Sequence, residues 1–594
     1  MLGFIITLLI VLFSLYKRYS IEYVVLYFLS THILVGLLLQ VFHFFTTSSV
    51  VFLHIILGLI FLYICQKKLH KKNKTLHYQD VVIGIVIFFL SFFILSLVHT
   101  SYTGLVSTDS GSKYVVAEEY LYPLFSDEWV AVKIIETTIQ EQRLPLGDVF
   151  FGKPKFNFLF GFHSFISELH LYFNVSPLFA YTFFASFFSA ITITLSWRLL
   201  RICNVSQAVA VLHALLLLLV VNGSNLPGLW YLLPWNIGFL FLVLTYIFIF
   251  QRKYLLALIG GIVSCYMYPP IIVFVTLLFI GAFIKEKRKA LHLFKYIFNR
   301  YKIHYIISVI GLGLFFVIIF NEGFRDFLGA GFDHIVRPLK SASGVPPVLH
   351  PWLVLPALTM IGFLIVVSVK KIRQKNSIFL YPILGGCFLW LLYWLTVPTI
   401  LIDYHRTVTM TSLQIVLLSA FGVDAFVTYL QEKIGKENSK NINQIIAVLI
   451  IFAVFLFLSL SYTARGNWMY LKKYIRQPNG TYQIIKPRPP VNHYLHKDDV
   501  RIFSAYKNKI FLAPSWKSLV IGVATNNTPL NTKPATFTVT TLNLQYFLNA
   551  TCTEKNELVV EHAIDLIYAP EFFCDKFVKI DESAEGFLLY TYEK

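Results

Sequence analysis

Charged residues are scarce in this chain of 594 residues, where they make up 14% of the sequence, against about 25% in soluble globular proteins. Acidic residues are the scarcer kind, with 31 Asp and Glu beside 50 Lys and Arg. Six cysteines are too few to staple a chain of this length. The sequence also contains no P-loop, no glycine-rich nucleotide loop and no His-Glu-x-x-His zinc signature. This composition excludes a soluble enzyme, a disordered chain and a disulfide mini-protein.

Apolar residues dominate the chain instead. Hydrophobic residues make up 57% of it, and the mean hydropathy is +0.68. Apolar runs of about 18 residues or more recur along most of the sequence, which is the length that a membrane-crossing helix needs. Backbone amides in lipid need partners within their own segment, so these runs are expected to be helices. The pattern predicts a polytopic α-helical membrane protein with about 14 transmembrane helices.

Much of the formal net charge of +19 lies in short basic clusters between the apolar runs, at residues 67–74, 285–289 and 370–375. Such clusters typically face the cytosol, so we interpret them as topology signals and not as a nucleic-acid surface. The first run lacks a positive leading region and a cleavage site, which predicts a retained helix. The predicted helices are Leu2–Tyr16, Glu22–Phe45, Val50–Cys65, Val81–Val98, Pro177–Trp197, Ala208–Val221, Asn236–Phe250, two within Leu255–Ile284 that are separated by a break at Tyr268-Pro269-Pro270, His304–Phe320, Trp352–Val369, Phe379–Leu395, Thr411–Tyr429 and Gln444–Tyr462.

This topology leaves two large polar regions on the exported side. Residues 99–157 form the first large exported loop, and residues 463–594 form an exported soluble domain that follows a membrane domain of residues 1–462. Mixed polar composition and strand-like alternation at Thr536–Thr541 favour an α+β fold for the soluble domain. Its two cysteines, Cys552 and Cys574, either form a disulfide or are unrelated thiols. The predicted location is an integral, multi-pass one, in the plasma membrane if the source is bacterial.

The sharpest local pattern in the first exported loop is Ser126-Asp127-Glu128-Trp129. Apolar residues then recur at helical spacing, which predicts an amphipathic helix over Asp127–Gln142 at the membrane surface. In a structural reading, Ser126 caps this helix and the acids favour the helix dipole. In a functional reading, one carboxylate takes a proton from an acceptor hydroxyl, which requires hydrogen-bond reach and shelter from bulk water. The two readings are compatible.

The many helices, the long first exported loop with its surface helix, and the Asp-Glu pair together resemble the GT-C glycosyltransferases, several branches of which also have an exported C-terminal domain. These integral membrane enzymes transfer a sugar from a polyprenyl-phosphate or polyprenyl-diphosphate donor to an acceptor. The resemblance implies that an acidic residue of the first exported loop is the catalytic base or lies beside it. It points to Asp127 first and Glu128 second. About four helices precede the loop here, whereas one or two usually do.

Two lysines of the first exported loop are candidates for binding the donor phosphate. Lys153 and Lys155 lie beside an aromatic entrance, and an ammonium group can bind a phosphate. The structural alternative is a pair of lysines in water at the level of the lipid headgroups. His163, which follows them, is either a residue of the cleft or a satisfied helix histidine.

The third exported loop, Thr396–Thr409, supplies a second candidate cluster. An arginine at the membrane edge is costly unless it has a partner. The resemblance implies a cationic side chain in a late exported loop that stabilises the leaving phosphate, which indicates Arg406, with His405 assisting and Asp403 orienting it. The alternative is a salt-bridged helix start. Further candidates for the cleft lie in the second exported loop, at His334 and Arg337.

No metal-ligand spacing is evident, so no metal site is predicted. A divalent cation is not favoured, because hard cations need several oxygen ligands, and the available acids supply them only if the fold gathers them. Those acids are Asp109, Asp127, Glu128 and Asp148.

The predicted function is a GT-C-type glycosyltransferase, a hexosyl- or pentosyltransferase that inverts the anomeric carbon. Its partners are a polyprenyl-phosphate-linked sugar donor, a glycan or lipid acceptor on the exported face, and membrane lipids, with no nucleic acid. One alternative is a transporter or flippase of lipid-linked glycans, which predicts acids inside the helices and repeat symmetry. The other is a non-catalytic membrane scaffold with an exported binding domain.

Overall fold

The computed structural model is mostly helical, with a small sheet near the C-terminus. It describes residues 21–68, 78–108, 111–145, 149–150, 159–220, 228–285, 336–337, 357–396, 399–400, 404–434, 474–476, 482–484, 493–532, 541–584 and 586–593.

The described part of the chain before residue 435 consists of helices and four short strands. The helices are α1 (Ile21–Phe42), α2 (Thr47–Lys68), α3 (Tyr78–Thr100), α4 (Ser126–Glu141), α5 (Phe160–Phe173), α6 (Pro177–Ile202), α7 (Gln207–Leu216), α8 (Pro234–Phe250), α9 (Tyr254–Met267), α10 (Ile272–Lys285), α11 (Ala357–Ser368), α12 (Lys370–Lys375), α13 (Ser377–Thr396) and α14 (Tyr404–Ile434). Among the described residues, α1, α3, α6 and α14 are long and apolar enough to cross a membrane, and seven further apolar helices are shorter.

Eleven of the predicted apolar segments coincide with helices of the structure. The predicted break is confirmed, because α9 ends at Met267 and a 3-10 turn over Pro269–Ile271 leads into α10. Proline lacks the backbone N–H that a continuous helix would need there. Three predicted segments lie outside the described residues: Leu2–Tyr16, His304–Phe320 and Gln444–Tyr462. The count of about 14 spans therefore stays a prediction.

The first predicted loop contains more regular structure than the sequence pattern reveals. Strands β1 (Tyr102–Thr108) and β2 (Gly111–Glu118) form an antiparallel hairpin ahead of α4. Helix α5 then follows where no helix is predicted, because its 14 residues include Glu168 and two histidines that lower its apolar character. Strands β3 (Val336–Arg337) and β4 (Thr399–Ile400) pair with each other and so join the second and third predicted loops.

The described part of the C-terminal domain contains helices and strands. Its elements, after the short hairpin β5 (Tyr474–Arg476) and β6 (Tyr482–Ile484), are α15 (Lys497–Phe503), β7 (Ile510–Leu512), α16 (Ser515–Thr525), β8 (Thr528–Pro529), α17 (Leu544–Asn549), α18 (Cys552–Glu561), β9 (Leu566–Ala569), β10 (Phe577–Glu582) and β11 (Leu588–Tyr592). Five of these strands form one sheet in the order β10-β11-β9-β7-β8.

Helices and strands are both present in this domain, as the α+β prediction requires, but the sheet is mixed. β7 pairs in parallel with β8 and β9, with helices in the crossovers, whereas β11 pairs antiparallel with β9 and β10. Parallel neighbours need such crossovers, so the alternation of strand and helix dictates this arrangement. The alternation predicted at Thr536–Thr541 lies outside the described residues, apart from Thr541.

A disulfide and a buried ion pair connect elements of the C-terminal domain. Cys552 and Cys574, whose pairing the sequence leaves open, form a disulfide with their Cα atoms 5.6 Å apart. Lys517 and Asp499 form an ion pair in which Nζ lies 2.7 Å from Oδ2, and both side chains are buried. The Tyr568 hydroxyl donates to Asp499 Oδ1 at 3.2 Å and the backbone N–H of His496 donates to Oδ2 at 2.9 Å, so the buried carboxylate accepts from three groups.

The C-terminal domain covers one side of α4. The indole N–H of Trp129 donates to the carbonyl oxygen of His493 at 3.1 Å, and Lys133 Nζ donates to Asn526 Oδ1 at 3.0 Å. Next to them, the ring of Tyr120 stacks on that of Tyr494 with the centroids 4.6 Å apart. The predicted amphipathic helix therefore exists, but it is buried between helices α5 and α6 and the C-terminal domain instead of lying at an open surface.

Candidate functional site

Helix α4 begins one residue earlier than predicted, and its first turn carries both acids of the predicted motif. Phe125 is the N-cap residue in extended backbone conformation, and no side chain caps the helix. The predicted capping role of Ser126 is therefore wrong, because this residue already lies inside the helix. Asp127 and Glu128 remain favourably placed near the positive end of the helix dipole.

Asp127 and Arg406 lie together although they are far apart in the sequence. Asp127 Oδ2 is 3.8 Å from Arg406 Nη2, and the two side chains are 39% and 31% exposed. Arg406 Nη1 donates to the hydroxyl of Tyr268 at 3.4 Å, and the guanidinium carbon lies 5.7 Å from the centroid of that ring. Tyr268 itself is buried immediately before the proline break between α9 and α10. The first turns of α4 and α14 thus meet at an accessible pair of opposite charges.

Glu128 has a different environment from its neighbour. Its carboxylate accepts the backbone N–H of Leu232 at 3.0 Å, and the residue is almost fully buried. Burial raises the pKa of Glu128 to about 8, although hydrogen bonds from the backbone N–H groups of Leu232, Leu124 and Phe125 act in the opposite direction. The carbonyl oxygen of Leu232 in turn accepts from the hydroxyl of Tyr181 at 2.6 Å. Glu128 therefore anchors the start of α4 to the segment that precedes α8.

The two adjacent acids can thus have separate roles. Glu128 is held by backbone groups and lacks access, which fits a positioning residue. Asp127 is accessible and next to a guanidinium, so it can accept a proton from a bound hydroxyl. A guanidinium that is partly exposed can bind a phosphate oxygen with charge-assisted hydrogen bonds. The pair also links α4 to α14, which is a purely structural use of the same contact.

Arg406 lies in the first turn of a helix and not in the predicted loop. Helix α14 begins at Tyr404, seven residues before the predicted start at Thr411. Threonines, an aspartate and a basic pair make this segment resemble a loop in sequence. His405 belongs to the same helix turn, whereas Asp403 lies outside the described residues.

The remaining predicted site residues are only partly located. His163 is buried in α5, where its ring lies 5.4 Å from that of Phe162, so it belongs to the packed interior. The backbone of Arg337 pairs with that of Thr399 between β3 and β4, and Thr399 lies five positions before Tyr404, where α14 begins. Lys153, Lys155 and His334 lie outside the described residues, as do Asp109 and Asp148.

Two features of the structure are not predicted from the sequence. In the sequence, Tyr268 is identified only as part of a helix break. Its hydroxyl lies beside two prolines in an apolar run, and that position is itself a signal of a polar contact. The second feature is a buried cluster of His32, His54 and Glu168. The sequence signal of this cluster is the presence of ionisable residues within apolar runs. Burying an ionisable side chain in an apolar environment is costly, and such residues are usually functional.

No protein-family model matches this chain, and no curated protein matches its sequence. An assignment of function therefore depends on the geometry of the site.

Proposed function

We propose that this chain is a multi-pass membrane glycosyltransferase of the GT-C type. It transfers a hexosyl or pentosyl group from a polyprenyl-phosphate donor to a hydroxyl of a glycan or lipid acceptor. Asp127 is the general base. The observation that carries the proposal is the contact between Asp127 and Arg406, because it brings an accessible carboxylate and an accessible guanidinium within 3.8 Å of each other.

The reaction is a single displacement. Asp127 accepts the proton of the acceptor hydroxyl while the hydroxyl oxygen forms a bond to the anomeric carbon of the sugar. The bond from that carbon to the phosphate oxygen breaks, and its electron pair leaves with the polyprenyl phosphate. Attack from the side opposite the leaving group inverts the anomeric carbon. Arg406 offsets the charge that develops on the phosphate, which is the electrostatic part of the catalysis.

The contacts of Arg406 would allow its guanidinium to change partner from Asp127 to the donor phosphate. One nitrogen, Nη1, is held by the hydroxyl of Tyr268, whereas Nη2 reaches Asp127 over a distance too long for a tight hydrogen bond. A donor phosphate that binds Nη2 therefore competes with Asp127 for the guanidinium. Donor binding then releases the carboxylate to receive the acceptor proton.

The proposed topology follows from the same contacts. The C-terminal domain touches α4 through Trp129 and Lys133, so the domain and the site lie on one face. The basic cluster at residues 370–375 forms α12 and precedes α13, whose opposite end leads toward Arg406. Because basic clusters favour the cytosol, we assign the site and the C-terminal domain to the exported face, which is that of the plasma membrane if the source is bacterial.

The test is sugar transfer by the purified full-length chain in proteoliposomes, with a panel of polyprenyl-phosphate hexoses and pentoses and with crude acceptor glycolipid. The variants Asp127→Asn and Arg406→Ala each remove one partner of the pair. Arg143→Ala is the matched control, because Arg143 forms an exposed ion pair with Glu141 at the other end of α4.

We expect wild type and Arg143→Ala to transfer at least one sugar of the panel, and both site variants to lose transfer. Equal transfer by Asp127→Asn and wild type would reject Asp127 as the base. Movement of intact donor between the leaflets without release of sugar would instead support the flippase alternative. Binding of glycan without either process would support the scaffold.

A further inference from the structure

A second cluster of ionisable side chains lies within the helical part of the chain. His32 of α1, His54 of α2 and Glu168 of α5 are each at most 5% exposed. One possible ligand atom from each residue lies within 4.8 Å of the other two. The cluster is separate from the contact between Asp127 and Arg406 and plays no part in the proposed transfer.

Helices α1 and α2 hold His32 and His54 at similar distances from the turn that joins them. Helices α1 and α2 are joined by a short turn, with His32 ten residues before Phe42 and His54 seven residues after Thr47. At a rise of 1.5 Å per residue, His32 lies about 15 Å and His54 about 10 Å from that turn. The two histidines therefore lie within about one helical turn of each other in depth.

Small residues bring Glu168 to them. The hydroxyl of Ser164 on α5 donates to the carbonyl oxygen of Gly36 on α1 at 2.6 Å. A side chain at position 36 would crowd the backbone of Ser164, so glycine allows the two helices to approach closely. Glu168 follows Ser164 by four residues, which places it on the same face of α5.

The carboxylate contacts both imidazoles. His32 Nδ1 lies 2.8 Å from Glu168 Oε2 and 3.0 Å from Oε1, and His54 Nε2 lies 2.6 Å from Oε1. The ring of Tyr172, one turn further along α5, packs on both imidazoles with centroid distances of 4.7 and 4.4 Å. This ring fixes the orientation of the histidines and shields the cluster from water.

The charge of the cluster favours a cation. Among the described residues, the ion pairs of Glu168 are with the two histidines alone, so an ionised Glu168 beside neutral imidazoles would be an uncompensated buried charge. Such a charge is costly in an apolar interior unless it is paired or coordinates a metal. A divalent ion would offset it directly.

We propose that His32, His54 and Glu168 bind one divalent transition-metal ion, for which Zn²⁺ is the best fit. Two imidazoles and one carboxylate are a frequent zinc donor set, with metal–ligand distances of about 2.0–2.2 Å. Tetrahedral geometry places such donors about 3.3 Å apart. Glu168 Oε1 lies 3.0 Å from His32 Nδ1 and 2.6 Å from His54 Nε2, so both separations have to increase by less than about 1 Å, and the ligand atoms of all three residues lie within 4.8 Å of one another. A water molecule can complete the coordination.

The ion would act as a cross-link between three helices. Its ligands belong to α1, α2 and α5, and α5 also packs against α4, which carries Asp127. Metal binding would hold α5 in place and so support the helix that positions the candidate base. The ligands are buried and remote in sequence from the site, so we assign the ion a structural role.

The test uses the purified full-length chain, stripped with a chelator and then given Zn²⁺ alone. Bound zinc is counted by mass spectrometry after gel filtration, and Co²⁺ is substituted to record the visible absorption that distinguishes four-coordinate from six-coordinate cobalt. The variants are His54→Gln and Glu168→Gln. His213→Gln is the control, because His213 is equally buried in α7 but bonds to its own helix, with Nδ1 2.9 Å from the carbonyl oxygen of Val209.

We expect about one zinc ion per chain in wild type and in His213→Gln, and at least tenfold weaker affinity in both ligand variants. We also expect a four-coordinate cobalt spectrum and a melting temperature of wild type that zinc raises. Undiminished zinc binding by both ligand variants would overturn the proposal. The proposal would also be overturned if the wild-type chain bound no stoichiometric zinc and gave no four-coordinate cobalt spectrum. This result does not depend on the folding of any variant, and it would mean that the three residues form only a hydrogen-bond network.

Discussion

Replacing Asp127 with asparagine removes the charge of the proposed base while it keeps the shape of the side chain. The structural cost can be bounded from the geometry. Two unit charges 3.8 Å apart interact by about 1 kcal/mol in water, and accessible ion pairs contribute about 0.2–1 kcal/mol in practice. Since both side chains are roughly one-third exposed, we expect Asp127→Asn to lower the free energy of unfolding by less than about 1 kcal/mol.

The catalytic cost should be much larger. A positioned general base contributes about 10²–10⁴-fold to a rate, which corresponds to about 3–5 kcal/mol of transition-state stabilisation. The assay is initial-rate sugar transfer in proteoliposomes, measured beside the thermal midpoint of the same preparation. Glu141→Gln is the control, because it removes an acid from the last turn of α4 whose ion pair with Arg143 is exposed.

The two effects separate a base from a structural link. A transfer rate that falls at least a hundredfold while the thermal midpoint stays within about 4 °C of wild type would agree with catalysis. Loss of rate in proportion to loss of folded chain would refute the reasoning, because Asp127 would then only hold α4 against α14.

Three further predictions concern stability. Burial raises the pKa of Glu128 to about 8, so Glu128 binds its proton more tightly in the folded chain than in the unfolded chain. The contribution of this proton to the free energy of unfolding is fully present below about pH 4 and is lost as the pH rises through about 8. Thermal midpoints measured from pH 5 to 9 should show that loss in wild type and a smaller one in Glu128→Gln. Replacing Asp499 with alanine leaves Lys517 charged and buried, which should cost about 3–5 kcal/mol in a denaturant titration, and a second change of Lys517→Met should recover only the part that comes from the buried charge, because Tyr568 and the backbone N–H of His496 also lose their acceptor. Replacing Cys552 and Cys574 with serine opens a loop whose ends are 22 residues apart, which should cost about 3 kcal/mol, measured against reduced wild type as the control.

Features that depend on local pattern could be predicted from the sequence. The break at Tyr268 is encoded by the two prolines that follow it, and α4 is encoded by apolar spacing that ends near Gln142. These elements depend on a few neighbouring residues, so a window of the sequence contains the needed information.

Features that depend on distant partners could not be predicted in the same way. Arg406 lies in a helix whose first turn looks like a loop in sequence, and its side chain contacts Asp127 and Tyr268, which belong to distant parts of the sequence. The contact of α4 with the C-terminal domain likewise joins Trp129 to a carbonyl far along the chain. The histidine cluster needs three helices, so no spacing within one segment encodes it.

The most direct test of the central claim is the fate of the donor in the presence of the wild-type chain. Mass spectrometry of lipid extracts from proteoliposomes would follow each polyprenyl-phosphate sugar and its sugar-free polyprenyl phosphate over time. We predict that one donor is converted to free polyprenyl phosphate with matching gain of sugar on the acceptor. If every donor of the panel stays intact beside folded, reconstituted protein and acceptor, the proposed transfer is contradicted.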